Sequence, residues 1–262
     1  CQHVGVNHPA YVRTAMPYPH LPWLDAGVDF PPIESAWSSE SPAPGLLAAG
    51  DELNANVLLR AYRQGIFPWF SEGQPVLWWS THPRMVLLPQ DFTWPLSLRK
   101  QIRSLLKRGR LNIRMDTDFM AVMQACAQSP RPGQSGTWIS PAMQSAYASL
   151  HQQGHAHSVE TWWDEELVGG LYLVNVGGMV FGESMFSRRS NASKIALAAL
   201  VAFCLVNRLP MIDCQQETDH LASLGASPWP RADFLCQLDA LVDQDPPTWR
   251  FEPDHWTCVF GT

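Results

Sequence analysis

The spacing of apolar positions switches between a period of about 3.6 and a period of 2 along this chain, and each switch marks an element. Over 53–64, Leu53, Val57, Leu58 and Tyr62 fall at helical spacing, and Gly65 ends the run. Residues 76–80 and 85–88 read as strands, separated by His82-Pro83. A helix is predicted over 95–109, a strand over 111–115 and a helix over 118–128. Ser140 before Pro141 is a cap followed by a favoured first helical residue, so the next helix runs from there to 153 and stops at Gly154. Three antiparallel strands follow, over 157–163, 166–176 and 178–184, with Asp164-Glu165 and Gly177-Gly178 as the turns between them. The chain then reads as a helix over 190–207, a strand over 211–215 and short helices over 219–224 and 230–241. Upstream, 45–50 is a short apolar strand or turn and 65–71 a rigid aromatic loop. Residues 1–45, rich in Pro, Ser and His, show no period and are expected to be irregular. This order predicts an α+β or mixed α/β fold, a sheet with helices on both faces.

With 262 residues, 46% of them hydrophobic, the chain can bury a core sufficient for one large or two modest domains. Its net charge of −6 argues against wholesale nucleic-acid binding. The charge is unevenly spread, however. Between Asp91 and Asp116 there is no acidic residue but seven basic ones: Arg99, Lys100, Arg103, Lys107, Arg108, Arg110 and Arg114. Such a patch can hold a phosphate backbone on an acidic protein; a solvated helix face is the alternative. The six cysteines show no CxxC pair and read as reduced, buried thiols of a cytoplasmic protein. No stretch approaches ~18 continuous apolar residues, so no membrane span is expected. Cys1 in place of Met reads as a fragment start rather than a lipid-modified cysteine.

Candidate chemistry collects at the ends of two apolar runs. Glu183 closes one, in Phe181-Gly182-Glu183-Ser184-Met185; Asp213 and Gln215 close the other, in Met211-Ile212-Asp213-Cys214-Gln215. Ionisable groups at strand ends beside apolar walls are typical of a cleft. Asp213 and Gln215 alternate on a strand and so share a face. A buried Asp–Gln hydrogen bond that fixes the strand, and a salt bridge from Glu183 to Arg188 or Arg189, are the structural alternatives. Ser184 lacks the second glycine of a nucleophile elbow, which disfavours a covalent serine mechanism. His155 and His157 have no Cys or carboxylate set at ligand spacing, so no metal site is expected.

Gly45-Leu46-Leu47-Ala48, Arg63-Gln64-Gly65-Ile66-Phe67-Pro68-Trp69-Phe70, Leu77-Trp78-Trp79-Ser80, Gly136-Thr137-Trp138-Ile139, Phe181-Gly182-Glu183-Ser184-Met185-Phe186-Ser187, Asn191-Ala192-Ser193-Lys194 and Ile212-Asp213-Cys214-Gln215 stand among nine ordered blocks across residues 33–250. Together they resemble the leucyl/phenylalanyl-tRNA–protein transferases. The resemblance implies an aminoacyltransferase that moves Leu or Phe, less readily Met, from aminoacyl-tRNA to the α-amine of a protein beginning with Arg or Lys, marking it for degradation. It implies an acetyltransferase-like (GNAT-like) catalytic domain over 83–252 behind a small N-terminal domain over 33–82, with 1–32 an irregular extension and 253–262 a tail. No cofactor, metal or membrane partner is expected, and a cytoplasmic monomer is.

The same resemblance puts the reactive centre at Asp213, Gln215 and Glu183 and the side-chain pocket at Leu171, Leu197, Leu200 and Ile212. Trp69 and Trp138 would flank the 3′-terminal adenosine, and Arg99, Lys100, Arg103, Lys107 and Arg108 would hold tRNA phosphates. Gln215 is expected to orient the acceptor amine by its carbonyl, with Asp213 polarising that amide or taking the proton through it. Glu183 is expected to hold the amino group of the transferred residue or to attract the cationic acceptor. An acetyl-CoA-dependent N-acetyltransferase is disfavoured, because the place of its glycine-bearing phosphate loop reads Arg188-Arg189-Ser190-Asn191-Ala192-Ser193. A non-catalytic reader of basic N-termini is the other rival.

Overall fold

The computed structural model describes residues 20–129, 137 and 139–261. Two sheets organise them. In the first, β1 (Trp23–Leu24) pairs in parallel with β2 (Leu46–Gly50), β2 pairs antiparallel with β4 (Val76–Trp79), and β3 (Phe67–Pro68) closes the far edge against β4. Helix α1 (Ala55–Tyr62) connects β2 to β3. Its start is fixed by Asn54, whose side chain accepts a hydrogen bond from Val57 N at 3.0 Å, a cap worth about 1 kcal/mol.

The second sheet holds β5 (Arg84–Leu87), β6 (Leu111–Met115), β7 (Ala156–Trp163), β8 (Glu166–Val176), β9 (Met179–Ser187), β10 (Ile212–Gln215) and β11 (Ser227–Trp229), in the order β11-β5-β10-β9-β8-β7-β6. Strands β6 to β9 form an antiparallel meander. Its tight turns match the expected signals: Asp164 and Glu165 both adopt positive φ, as does Gly177. Only β9 and β10 run parallel in this sheet, joined by the crossover helix α5 (Ala192–Val206). The remaining helices are α2 (Leu96–Lys107), α3 (Phe119–Gln128), α4 (Pro141–Gln152), α6 (Asp219–Ala222), α7 (Arg231–Leu241) and α8 (Thr257–Phe260).

Two apolar clusters lie on opposite faces of the large sheet. One joins Tyr172, Val174 and Phe181 to α1, α3, α4 and α7; the other joins Leu171, Leu173, Val180 and Ile212 to α2 and α5. Helix α5 is buried almost all round and begins hard against β8. A Cβ on Gly169 would come within 2.5 Å of the Ala192 Cβ, so only glycine lets the helix start there. The mixed α/β class expected from the patterning is the one observed. The departures are local: β1, β3 and β11 had no sequence signal, and β9 runs on to Ser187 instead of ending at Ser184.

Candidate active site

The cleft follows from how β9 and β10 part. Their parallel pairing covers two residue pairs, Ile212 with Val180 and Asp213 with Phe181. Both strands then bulge. On β9, Tyr172 pairs with Ser184 and Leu173 with Gly182, which leaves Glu183 as the extra residue. On β10, Asp213 pairs with Val86 and Gln215 with Met85, which leaves Cys214 extra, and Gln215 adopts φ 60°. Bulges re-aim side chains at strand ends. Here they turn Glu183 and Gln215 towards each other, and Gln215 Nε2 donates to Glu183 Oε1 at 2.8 Å.

On one side of these two residues lies a cavity of about 220 Å³ walled by Leu171, Leu197, Leu200, Ile212 and Met185. The four residues expected to form a side-chain pocket therefore share one cavity. A second recess of about 200 Å³ opens on the other side, between Phe67, Pro68, Trp69, Gln215 and Gln216. Glu183, Cys214, Thr218 and Leu221 line both, so the apolar cavity and the polar recess are adjacent and share a wall. Trp69 is half-buried, meets Trp79 edge-on at 5.5 Å and faces the recess. His220 stands at the rim of the apolar cavity, where partial burial and then the Lys194 charge lower its pKa.

Glu183 is held on three sides. Tyr62 from α1 donates to Oε1 at 2.6 Å, Tyr147 from α4 donates to Oε2 at 3.0 Å, and Gln215 supplies the third contact. Desolvation pushes its carboxyl from 4.5 up to about 7; the three donors pull the other way but do not cancel it. Burial also holds both tyrosines well above their ordinary value, so they stay neutral hydrogen-bond partners.

Asp213 sits elsewhere than expected. It is fully buried, and its oxygens are taken by Arg84, Nε at 2.8 Å and Nη2 at 2.6 Å, and by the backbone N–H of Gln215 at 2.8 Å. No hydrogen bond joins its carboxylate to the Gln215 side-chain amide, so the contact expected for polarising that amide is not made; its link to Gln215 runs through the backbone N–H. Arg84 is equally buried, lies between the rings of Phe67 (4.8 Å) and Phe234 (4.6 Å), and donates to Gly65 O. Asp213 thus fixes the bulge that presents Gln215, while Arg84 ties β10 to the aromatic loop carrying Trp69. The salt bridge considered for Glu183 is absent too: Arg189 pairs with Glu166, and Arg188 lies over Phe186 and donates to Leu167 O.

The basic helix splits in two. Leu98, Ile102 and Leu105 of α2 are buried; Lys100, Arg103, Lys107 and Arg108 are exposed, and Arg99 is half-buried. Arg103 also donates to Phe260 O. Arg110 and Arg114, beyond the helix, are engaged by Asp164 and Glu165. Gln101 bonds Ser190 O and Asn191, which places α2 beside the start of α5, and Leu197 lies about 9 Å further along that axis. Trp138 lies outside the described residues. Among those described, no group of three His, Cys, Asp or Glu could hold a metal ion, and no helix is long and apolar enough to cross a membrane. Of the five described cysteines, Cys126 and Cys204 are buried, but Cys236 and Cys258 are exposed, contrary to the uniform burial expected.

Sequence reasoning missed Arg84, Tyr62 and Tyr147 as site residues. Tyr62 and Tyr147 look like ordinary apolar-face positions of helices, and Arg84 sits at the end of a strand pattern; nothing local marks partners 36 to 129 residues away.

Comparison with known proteins shows the family. The family described as leucyl/phenylalanyl-tRNA protein transferase matches residues 86–239, and the N-terminal domain of that family matches residues 51–82. A leucyl/phenylalanyl-tRNA–protein transferase of Polaromonas sp. is 57% identical, covering 90% of this chain and 92% of that protein. One of Cupriavidus metallidurans is 56% identical, covering 92% of this chain and 99% of that protein. Among solved structures, the aminoglycoside N-acetyltransferase AAC(6')-Iy in complex with CoA is 14% identical with a TM-score of 0.29, covering 55% of this chain and 95% of that one. Likeness at that level says nothing about the site.

Proposed function

This chain belongs to the leucyl/phenylalanyl-tRNA protein transferase family, and on that premise we propose that it moves a leucyl or phenylalanyl residue, less readily methionyl, from the 3′ ester of its tRNA to the α-amine of a protein beginning with Arg or Lys. The observation that carries this reading is the shared wall of the two recesses. An aminoacyl side chain fits the cavity of Leu171, Leu197, Leu200 and Ile212, with its ester at Glu183 and Gln215 and its adenosine towards Trp69.

The chemistry asked of the protein is light. The donor is an activated ester, so no ATP is consumed. The acceptor amine has an ordinary pKa of about 7.7–8.0, and most of the rate must come from holding it against the carbonyl. Gln215, fixed by the hydrogen bond that its side-chain N–H donates to Glu183, orients the amine through its carbonyl oxygen. Glu183 supplies the anionic edge that suits a cationic N-terminal residue. Asp213 acts through Gln215's backbone and is a positioning residue. The exposed cations of α2 hold the tRNA by its phosphates.

The same reading takes residues 33–82 as a small N-terminal domain and 83–252 as the catalytic one, working as a cytoplasmic monomer. Leucine-charged tRNA, an Arg-starting peptide and the protein should together yield a peptide heavier by one leucyl unit. Acetylation only when acetyl-CoA is supplied, or peptide binding without any mass gain, would defeat the proposal.

A further inference from the structure

Glu183, Tyr62 and Tyr147 close a ring of three O···O contacts: Tyr62 to Oε1 at 2.6 Å, Tyr147 to Oε2 at 3.0 Å, and the two hydroxyls to each other at 2.5 Å. Each contact needs one hydrogen, and two tyrosine hydroxyls supply two. The Gln215 amide serves a separate contact and cannot fill the gap. If the carboxyl carries a proton, three hydrogens serve three contacts, running Glu183 to Tyr147 to Tyr62 and back to Glu183. If it is ionised, one pair of oxygens faces without a hydrogen, in surroundings too dry to screen the repulsion.

We propose that this ring makes Glu183 the proton acceptor of the transfer reaction: an ionised ring is one hydrogen short, and the acceptor's α-ammonium supplies it. This deepens the aminoacyl-transfer reading and rests on it. The ammonium gives one proton to Glu183, and the freed lone pair forms the C–N bond to the ester carbonyl carbon. The bond from that carbon to the ribose 3′-oxygen breaks, and the second proton shed by nitrogen ends on that oxygen. One hydrogen remains on the new amide, so atoms and charge balance.

The charged and titratable groups around the ring are few. Helices α1 and α4 bring the two tyrosines to it, and β8 adds Tyr172 beside Tyr147. Strand β10 brings Asp213, which pairs with Arg84 of β5 but whose charge still raises the Glu183 pKa, and Cys214, whose thiol burial pushes up. Across the cavity α6 brings His220, held towards its neutral form. Among the described residues no Lys or Arg pairs with Glu183. Burial, which raises the carboxyl to about 7, acts in the same direction and brings it close to the amine it must deprotonate.

The test begins without substrate, so it stands or falls separately from the transferase assay. Infrared titration of the ligand-free protein should show a carboxylic-acid C=O band, absent in Glu183→Gln, that fades with a midpoint about 7. A band present only below about pH 5 overturns the proposal. In Tyr62→Phe each remaining contact has its own hydrogen, so the midpoint should fall by about one pH unit. A rise, the effect of losing a mere donor, or no change overturns the ring; Tyr147→Phe serves if the first variant does not fold. In steady state, Glu183→Gln should lower kcat/KM by about 10²–10⁴-fold and move its pH midpoint from about 7 to about 8, where the free amine itself titrates. A midpoint left in place overturns the role.

Discussion

Replacing Arg84 by Met should be among the most damaging single changes in this protein, although Arg84 never reaches the cleft. The substitution removes both guanidinium contacts to Asp213 and leaves a fully buried carboxylate with one backbone N–H. Stranding one partner of a buried ion pair costs about 3–5 kcal/mol. Loss of the guanidinium from between Phe67 and Phe234 adds about 0.5–2 kcal/mol per ring, so the upper end is expected. Removing the stranded charge as well, in Arg84→Met/Asp213→Asn, should restore about 2 kcal/mol. Urea unfolding followed by tryptophan fluorescence measures both, provided the m-value is unchanged. A single variant losing less than about 1 kcal/mol, or a double variant as unstable as the sum of its parts, would refute the assignment of this pair as an interdependent unit.

Three further outcomes are expected. Trp69→Ala should raise KM for aminoacyl-tRNA by about 5–150-fold, the equivalent of about 1–3 kcal/mol of stacking, while kcat at saturation changes little; a fall in kcat alone would return Trp69 to a packing role. Leu200→Phe narrows a cavity of about 220 Å³ and should shift the preference from Phe towards Leu by about tenfold when the two charged tRNAs compete; an unaltered ratio would place the side chain elsewhere. Lys107→Ala/Arg108→Ala should flatten the dependence of log affinity on log salt by about one unit for each phosphate no longer neutralised, and an unchanged slope would make α2 a solvated face.

The long elements were legible because burial imposes its period on them. Strand β8 falls where its flanking turn residues put it, β6 lies where it was read, and the buried helices follow their apolar stripe. The two-residue strands β1 and β3 exist only through their partners and leave no periodic trace. Strand β9 was cut short because Glu183-Ser184 reads as a polar terminus, whereas it is a bulge after which the strand resumes with its faces exchanged: Phe181 packs in one cluster and Met185 in the other. The same limit applies to the site. Glu183 and Gln215 could be picked out as polar residues at the ends of apolar runs, and the pocket leucines through family resemblance. The partner of Asp213 could not, because a buried arginine at position 84 is explained only by a carboxylate 129 residues away.

The assignment of the apolar cavity and the adjoining polar recess to one aminoacyl-adenosine is tested most directly by a crystal structure with a non-hydrolysable amide analogue of leucyl-adenosine. The leucyl side chain should fill the space between Leu171, Leu197, Leu200 and Ile212, with the carbonyl beside Glu183 and Gln215 and the adenine on Trp69. A ligand bound with its side chain outside that cavity, or its carbonyl away from Glu183 and Gln215, would contradict the account.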